Sequence, residues 1–257
     1  MSMTIKNESE IRKMEEAGQL VALIHARIES AIAPGVSTAE LDEIARNSLI
    51  EAGATSSFLH YGHPPFPGHI CASVNDEIVH GIPGRRRLRD GDIVSIDVGA
   101  ILAGFHGDSA WTYPVGNISD EAASLLRATE QALSAAIQAA ATGNRLGAIG
   151  HAVSTYAHGH GFGVVRDYGG HGIGRSMHEE PHVPNVGNPD RGALLRTGLT
   201  LAIEPMLVYG DGYTRTLDDQ WTVVTSNGSL AAHFEHTVAV GPDGGRVLTP
   251  RLAGVLE

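Results

Sequence analysis

Along residues 8–32 the apolar positions Ile11, Met14, Leu20, Leu23, Ile24 and Ile28 recur at roughly helical spacing, and Pro34-Gly35 ends the run. Ser37 or Thr38 can cap a second helix that reaches Gly53. A loop rich in Gly, Pro and His follows, HYGHPPFPGH, and the period then changes. ICASVN, DIVSIDVGA and SAWTYPV are short, rich in β-branched residues and separated by turn residues, a pattern that predicts strands. The order then starts again. Residues 119–141 are Ala-rich and helical, with Ser119 and Asp120 as capping candidates, and another helix runs from Leu146 to about His158. GLTLAIEPMLVY, WTVVTS and HFEHTVAV predict further strands. Two helices followed by an antiparallel sheet thus occur twice, in residues 1–118 and 119–257. This order predicts an α+β fold made of two pseudo-symmetric halves in a single domain.

Charge narrows the range of partners. The net charge of −11 argues against broad phosphate-backbone binding, which needs clustered Lys and Arg. The short run Arg85-Arg86-Arg87-Leu88-Arg89 reads as a solvated loop, so no direct nucleic-acid binding is expected. Cys71 is the only cysteine, which makes an intramolecular disulfide impossible and fits a reducing compartment. The opening MSMTIKNESEIRKMEEAG has no apolar run of the secretory kind, and no window approaches the ~20 apolar residues of a membrane helix. A soluble cytoplasmic protein with no membrane partner is the expectation.

Four carboxylates disturb the strand pattern. Asp97 and Asp108 lie in IDVGAILAGFHGDSA, inside stretches that otherwise read as buried strand. A two-residue turn at Leu102-Ala103 sets them face to face, where like charges repel. A bulge at Gly104 is the other register. Glu204 in LTLAIEPML and Glu235 in AAHFEHTVAV are again charges set into apolar strand. His171 lies in YGGHGIGRSMHEEP, whose glycines let the backbone bend around a site. Outward carboxylates on a half-solvated sheet are the alternative reading of any one acid. Taken together, four carboxylates and a histidine are hard to satisfy with side chains, whereas two divalent cations about 3.5–4 Å apart turn their repulsion into attraction and form a hydrolytic device. Oxygen-rich ligation with one imidazole suits Mn, Fe(II), Co or Zn. H-E-x-x-H is absent, which removes a thermolysin-like zinc site, and a bare carboxylate dyad leaves His171 unexplained.

SVNDEIVHGIP, the Asp97/Asp108 pair, GGHGIGRSMHEEP, IEPM and HFEHTV stand in the order and approximate spacing of the type I methionine aminopeptidases, and the resemblance runs from the first helix to about Val240. It implies the pita-bread fold, with a pseudo-twofold antiparallel sheet backed by helices. It implies a dinuclear metal hydrolase that removes the N-terminal methionine of nascent proteins with a small second residue. Asp97 would bind one metal, Asp108 and Glu235 would bridge two, and His171 with Glu204 would complete the second site. The resemblance further implies Glu204 as general base, His178 at the scissile carbonyl and His80 at the scissile amide or leaving nitrogen. The methionine pocket would be lined by His63, Phe66, Cys71, His80, Met177, His178 and Trp221, with Tyr61 nearby. Met177 stands where the family usually has Phe, His63 where it often has Tyr and Gly99 where it often has Thr. Among the other histidines, His106, His233 and His236 flank the ligands and are candidates to orient them; His25, His151, His158 and His160 read as packing or surface.

The chain begins at the first helix of the catalytic domain and has one cysteine, so it resembles the short bacterial form, without a zinc-binding extension. The expected partners are nascent polypeptide N-termini at or near the ribosome, and the family default is a monomer. Two alternatives stay open: an Xaa-Pro aminopeptidase or prolidase on the same fold, and a non-enzymatic binding protein of that fold. The former usually carries a further N-terminal domain, and the latter typically loses metal ligands that this chain retains.

Overall fold

Each of the first three helices starts at a side chain that accepts its free amides. In the computed structural model, which describes residues 3–252, Asn7 accepts from the amides of Ser9 and Glu10 while Glu10 returns to the Asn7 amide, opening α1 (Glu8–Ala31). Ser37 and Glu40 form the same reciprocal pair at α2 (Thr38–Glu51), which settles the cap on Ser37. Ser119 caps α3 (Asp120–Ala139) through the Ala122 amide, and α4 (Gly147–Gly159) begins without a side-chain cap.

The strands fall into two groups. β1 (Thr55–Ser56), β2 (Ile70–Val74), β3 (Glu77–Val79), β4 (Ile93–Leu102) and β5 (Phe105–Pro114) follow α2. β6 (Gly163–Val164), β7 (Gly169–Gly172), β8 (Glu179–Pro184), β9 (Thr200–Ile203), β10 (Met206–Val208), β11 (Thr214–Thr216), β12 (Val223–Thr225), β13 (Ala231–His233), β14 (His236–Gly241) and β15 (Gly244–Val247) follow α4. The expected doubled order of helices then antiparallel strands is present. In the first half β4 pairs with β5 on one side and with β1 and β2 on the other. In the second, the order is β15-β14-β9-β7-β8. Two three-stranded sheets, β13-β10-β6 and β11-β12-β3, complete the architecture, and the second joins strands of both halves.

The apolar stripe of α1, with Val21, Ile24 and Ile28 fully buried, lies on the β4–β5 hairpin. Ile93, Val94, Ile96 and Val98 of β4 are almost wholly withdrawn from water, each worth roughly 1.5–3 kcal/mol of hydrophobic stabilisation. Their cluster continues through α3 and α4 to Leu201, Ile203 and Val238 of the second half. One apolar body therefore supports both strand groups.

Two expectations need correction. The β4–β5 turn is Ala103-Gly104, one residue later than Leu102-Ala103, and the last pair is Leu102 with Phe105. Both turn residues have positive φ, 50° and 79°, as a type I′ turn requires, and Gly104 takes that conformation without penalty. The register accordingly pairs Asp97 with Ala110 and Gly99 with Asp108, so the two acids are diagonal neighbours on one face. The second correction concerns Glu204 and Glu235, which do not sit inside strands. Glu204 occupies the break between β9 and β10, and Glu235 the break between β13 and β14. Ile203 pairs with His236 and Met206 with His233, so continuing the register across the gap sets Glu204 opposite Glu235. Pro205, which has no N–H to offer, is part of the reason that the ladder opens there.

Candidate metal centre

The two halves are stitched together at the acids themselves. The Asp108 amide donates to Thr237 Oγ1 at 3.1 Å, and Thr237 Oγ1 donates back to the Asp108 carbonyl at 2.8 Å. The Glu235 amide donates to the Ala110 carbonyl at 2.8 Å, and Ser109 Oγ donates to the Glu235 carbonyl at 2.9 Å. These four bonds tie β5 to the β13–β14 break and the start of β14, so Asp108 and Glu235 approach one another by backbone design. Asn185 Nδ2 donates to the Glu204 carbonyl at 3.0 Å and fixes the third acid. β7 supplies His171, whose Nδ1 bonds its neighbour's carbonyl, that of Gly172, at 2.9 Å. With its proton on Nδ1, the ring presents Nε2 as a lone pair. That atom lies 3.8 Å from Glu204 Oε1 and 3.9 Å from Asp108 Oδ2.

Without a cation these groups repel. Burial pushes Asp97 up to about 7, partly offset by a hydrogen bond from the Asp108 carboxyl. Burial also pushes Glu204 up to about 8, with the Asp97 charge adding to the shift. Asp108 and Glu235 are also raised well above the usual carboxylate range, first by burial and then by the neighbouring carboxylates. Burial holds His171 down to about 3, so it is neutral and able to ligate at neutral pH. Asp97 Oδ1, Asp108 Oδ1 and Glu235 Oε1 are buried with no hydrogen-bond partner among the described residues. Orphaned acceptors of this kind, at a cost of roughly 1–3 kcal/mol or more each, are what a hard or borderline divalent cation satisfies. Asp108, His171 and Glu235 offer ligand atoms all within 4.8 Å of one another, a ready metal-binding triad.

These acids form the floor of a cavity of about 180 Å³, room for a single amino-acid side chain rather than an extended peptide. Phe58, Phe66, Cys71 and Met177 pack as its apolar wall, with Trp221 and Ile82 against them. Phe66 and Trp221 meet edge to face at 5.1 Å. Cys71 is buried with its thiol raised well above the usual range by burial and the nearby carboxylates, which suits a wall and not a nucleophile. Gly99 has no room for a side chain, since a Cβ there would lie 2.8 Å from the Phe58 ring. His178 stands at the rim, its Nδ1 2.6 Å from the Tyr61 hydroxyl. The phenol stays protonated, its pKa raised by burial, and so donates to Nδ1, leaving the His178 proton on Nε2. His80 has a positive φ of 61°, a strained backbone for a bulky residue, and is held edge-on by Tyr168 and Trp221. Desolvation lowers it to about 4, so it is neutral at pH 7.

The structure brings the candidate ligands, the candidate catalytic residues and the candidate pocket residues to this one cavity, with the exception of His63. His63 is exposed and does not line it. The chain turns at Gly62, where a Cβ would lie 2.5 Å from the Trp221 ring, and Trp221 Nε1 donates to the Pro64 carbonyl at 3.1 Å. That anchorage directs Tyr61 inward and His63 out. Phe58, Val79 and Tyr168 also line the cavity and were not singled out in the sequence, whereas Gly169 belongs to the glycine-rich stretch that was. Tyr168 had a signal, since it immediately precedes the glycines around His171; Phe58 and Val79 looked like ordinary core.

Buried carboxylates gathered with one neutral imidazole beneath an apolar pocket define a metal-dependent hydrolase. Residues 12–242 match the model of metallopeptidase family M24. The chain is 52% identical over 244 residues to methionine aminopeptidase 1 of Bacillus subtilis, covering 95% of this chain and 98% of that one. The crystal structure of methionine aminopeptidase from Thermotoga maritima superposes with a TM-score of 0.93 at 40% identity, covering 96% of this chain and 99% of that one. An Xaa-Pro dipeptidase from Bacillus anthracis is more distant, with a TM-score of 0.76 at 25% identity over 96% of this chain but only 63% of its own. The chain belongs to the methionine aminopeptidases of family M24 and has their α+β pita-bread fold.

Proposed function

We propose that the protein hydrolyses the first peptide bond of nascent polypeptides that begin with methionine followed by a small residue. The observation that carries this reading is the set of orphaned carboxylate oxygens directly beneath a pocket sized for one apolar side chain. Asp97, Asp108, His171, Glu204 and Glu235 would hold two divalent ions, which supply Lewis acidity and bring the pKa of attacking water towards neutral. Asp108 and Glu235, cross-tied through Thr237, Ser109 and Ala110, would hold the ions from a fixed backbone. Glu204, fixed beside His171 where the ions would be held, would act as general base.

The remaining residues bind and orient. Phe66, Cys71, Met177 and Trp221 enclose the methionine thioether, a polarizable group that favours aromatic and sulfur contacts. His178 donates its Nε2 proton to the scissile carbonyl and stabilises the oxyanion that develops there. His80, neutral and rigidly held, serves the leaving nitrogen. No helix among the described residues is long and apolar enough to cross a membrane, and the lone buried Cys71 accords with a reducing compartment such as the cytoplasm. The discriminating assay offers the Mn-supplemented protein Met-Ala-Ser and an Ala-Pro dipeptide. Release of methionine from the first, with the second left intact, is expected. Cleavage of the proline-linked bond alone would replace this reading by the prolidase-like one.

A further inference from the structure

Three histidines flank the carboxylate ligands, and two of them are already engaged elsewhere. His106 Nδ1 bonds the Ser57 hydroxyl at 2.9 Å, and His236 Nδ1 bonds the Thr249 hydroxyl at 2.9 Å. His233 differs. It is 1% exposed, and its Nε2 has no hydrogen-bond partner among the described residues. That nitrogen lies 3.7 Å from Glu204 Oε2 and 4.0 Å from Glu235 Oε2. Its backbone is locked on both sides by a single hydroxyl: Thr112 Oγ1 accepts from the His233 amide and donates to the His233 carbonyl, each at 2.9 Å. Ser95 Oγ, 2.8 Å from the same atom, holds that hydroxyl in turn. A buried imidazole on so fixed a backbone, its Nε2 aimed at an acid and without a hydrogen-bond partner among the described residues, is costly unless the site uses it.

We propose that His233 is a positioning residue of the metal centre, its Nε2–H donating to Glu204 Oε2. The inference rests on the metal-binding reading given above. Glu204 lies between two rings, with Oε1 facing His171 and Oε2 facing His233. The division of labour follows from the proton positions. His171 has its proton on Nδ1 and offers a lone pair, whereas His233 offers a proton, which only the carboxylate oxygen turned away from a cation can accept. An N–H···O bond forms at about 2.7–3.2 Å, so a displacement of roughly half an ångström closes it when Glu204 is ionised. The bond fixes which Glu204 oxygen faces His171. Glu204 is preferred over Glu235 as acceptor because its oxygen is nearer, and because the Glu235 backbone is already tied to Ala110 and Ser109.

Calorimetric titration of Mn into chelator-treated protein tests this, with His233→Leu, His233→Met and His233→Gln beside the wild type. Groups that orient a ligand are worth about 10–100-fold in metal affinity. Both apolar variants should therefore bind at least one Mn about 10–100-fold more weakly, and Gln, which retains an N–H donor, should recover most of the loss. Wild-type affinity in both apolar variants would overturn the proposal. Loss in Gln as large as in Leu, with one fewer ion bound, would also overturn it and make His233 a direct ligand. A wild type that binds no Mn would overturn the metal reading itself, a distinguishable failure. A second measurement needs no variant: on 15N-histidine-labelled wild type, Zn should slow the solvent exchange of the His233 ring N–H, and disappearance of that proton on Zn addition would contradict donation.

Discussion

His178 illustrates how much a single contact decides. Its proposed role as donor to a substrate carbonyl depends on which ring nitrogen carries the proton, and the Tyr61 hydroxyl at 2.6 Å from Nδ1 makes that choice. Tyr61→Phe removes the choice without emptying the pocket. A single hydrogen bond is worth about 0.5–1.5 kcal/mol, so kcat for Met-Ala-Ser should fall about 2- to 10-fold with KM little changed. The same substitution made on top of His178→Ala should cost nothing further. An unchanged kcat in the single variant would show that Tyr61 does not orient the ring. The motifs made His178 legible in the sequence, but not its partner, because 117 positions separate the two residues. His63 went astray for a similar reason. Its neighbour Gly62 turns beneath Trp221, and no local pattern announces a packing contact made from the far end of the chain. Asp97, Asp108, Glu204 and Glu235 were legible because charge inside apolar sequence is costly and so demands a reason.

At the level of elements, helices and strands were legible from periodicity, and register was not. The β4–β5 turn falls one residue later than the apolar pattern suggested, because a tight hairpin needs two positive φ angles and Gly104 supplies one of them. Moving the turn by one residue shifts the pairing by two, which leaves Asp97 and Asp108 on the same face, so the site tolerated the misplacement. Gly104→Ala isolates the turn chemistry, since a Cβ there meets nothing within 4 Å and only backbone strain is added. Urea unfolding should show a loss of roughly 1 kcal/mol with catalytic constants intact; no loss would mean that the turn does not demand its glycine. The breaks at Glu204 and Glu235 were invisible for a different reason. GLTLAIEPMLVY reads as a continuous strand, and only the tertiary arrangement shows the chain passing from one sheet to another at Glu204.

Across the whole molecule, a shared apolar core forces two acidic strand groups together, and the metal centre lies where they meet. The fold therefore stores a charge problem whose solution is a cation. In the absence of metal, Asp97 at about 7 and Glu204 at about 8 retain protons that the unfolded chain loses near pH 4. Where the folded state holds more protons than the unfolded state, stability falls as pH rises. Below pH 6.5 the buried histidines oppose this trend, because His25 and His233, both at about 3, stay neutral while their unfolded counterparts gain protons. Between pH 6.5 and 8.0 the carboxyls dominate. Urea unfolding of chelator-treated protein across that window, with and without saturating Mn, tests the central claim most directly. The metal-free protein should lose stability from pH 6.5 to 8.0, since Asp108 and Glu235 are raised as well. Mn should stabilise it, and more strongly at pH 8.0, because cation binding releases those same protons. A metal-free protein whose stability is flat or rises over the window, together with no stabilisation by Mn, would contradict the account.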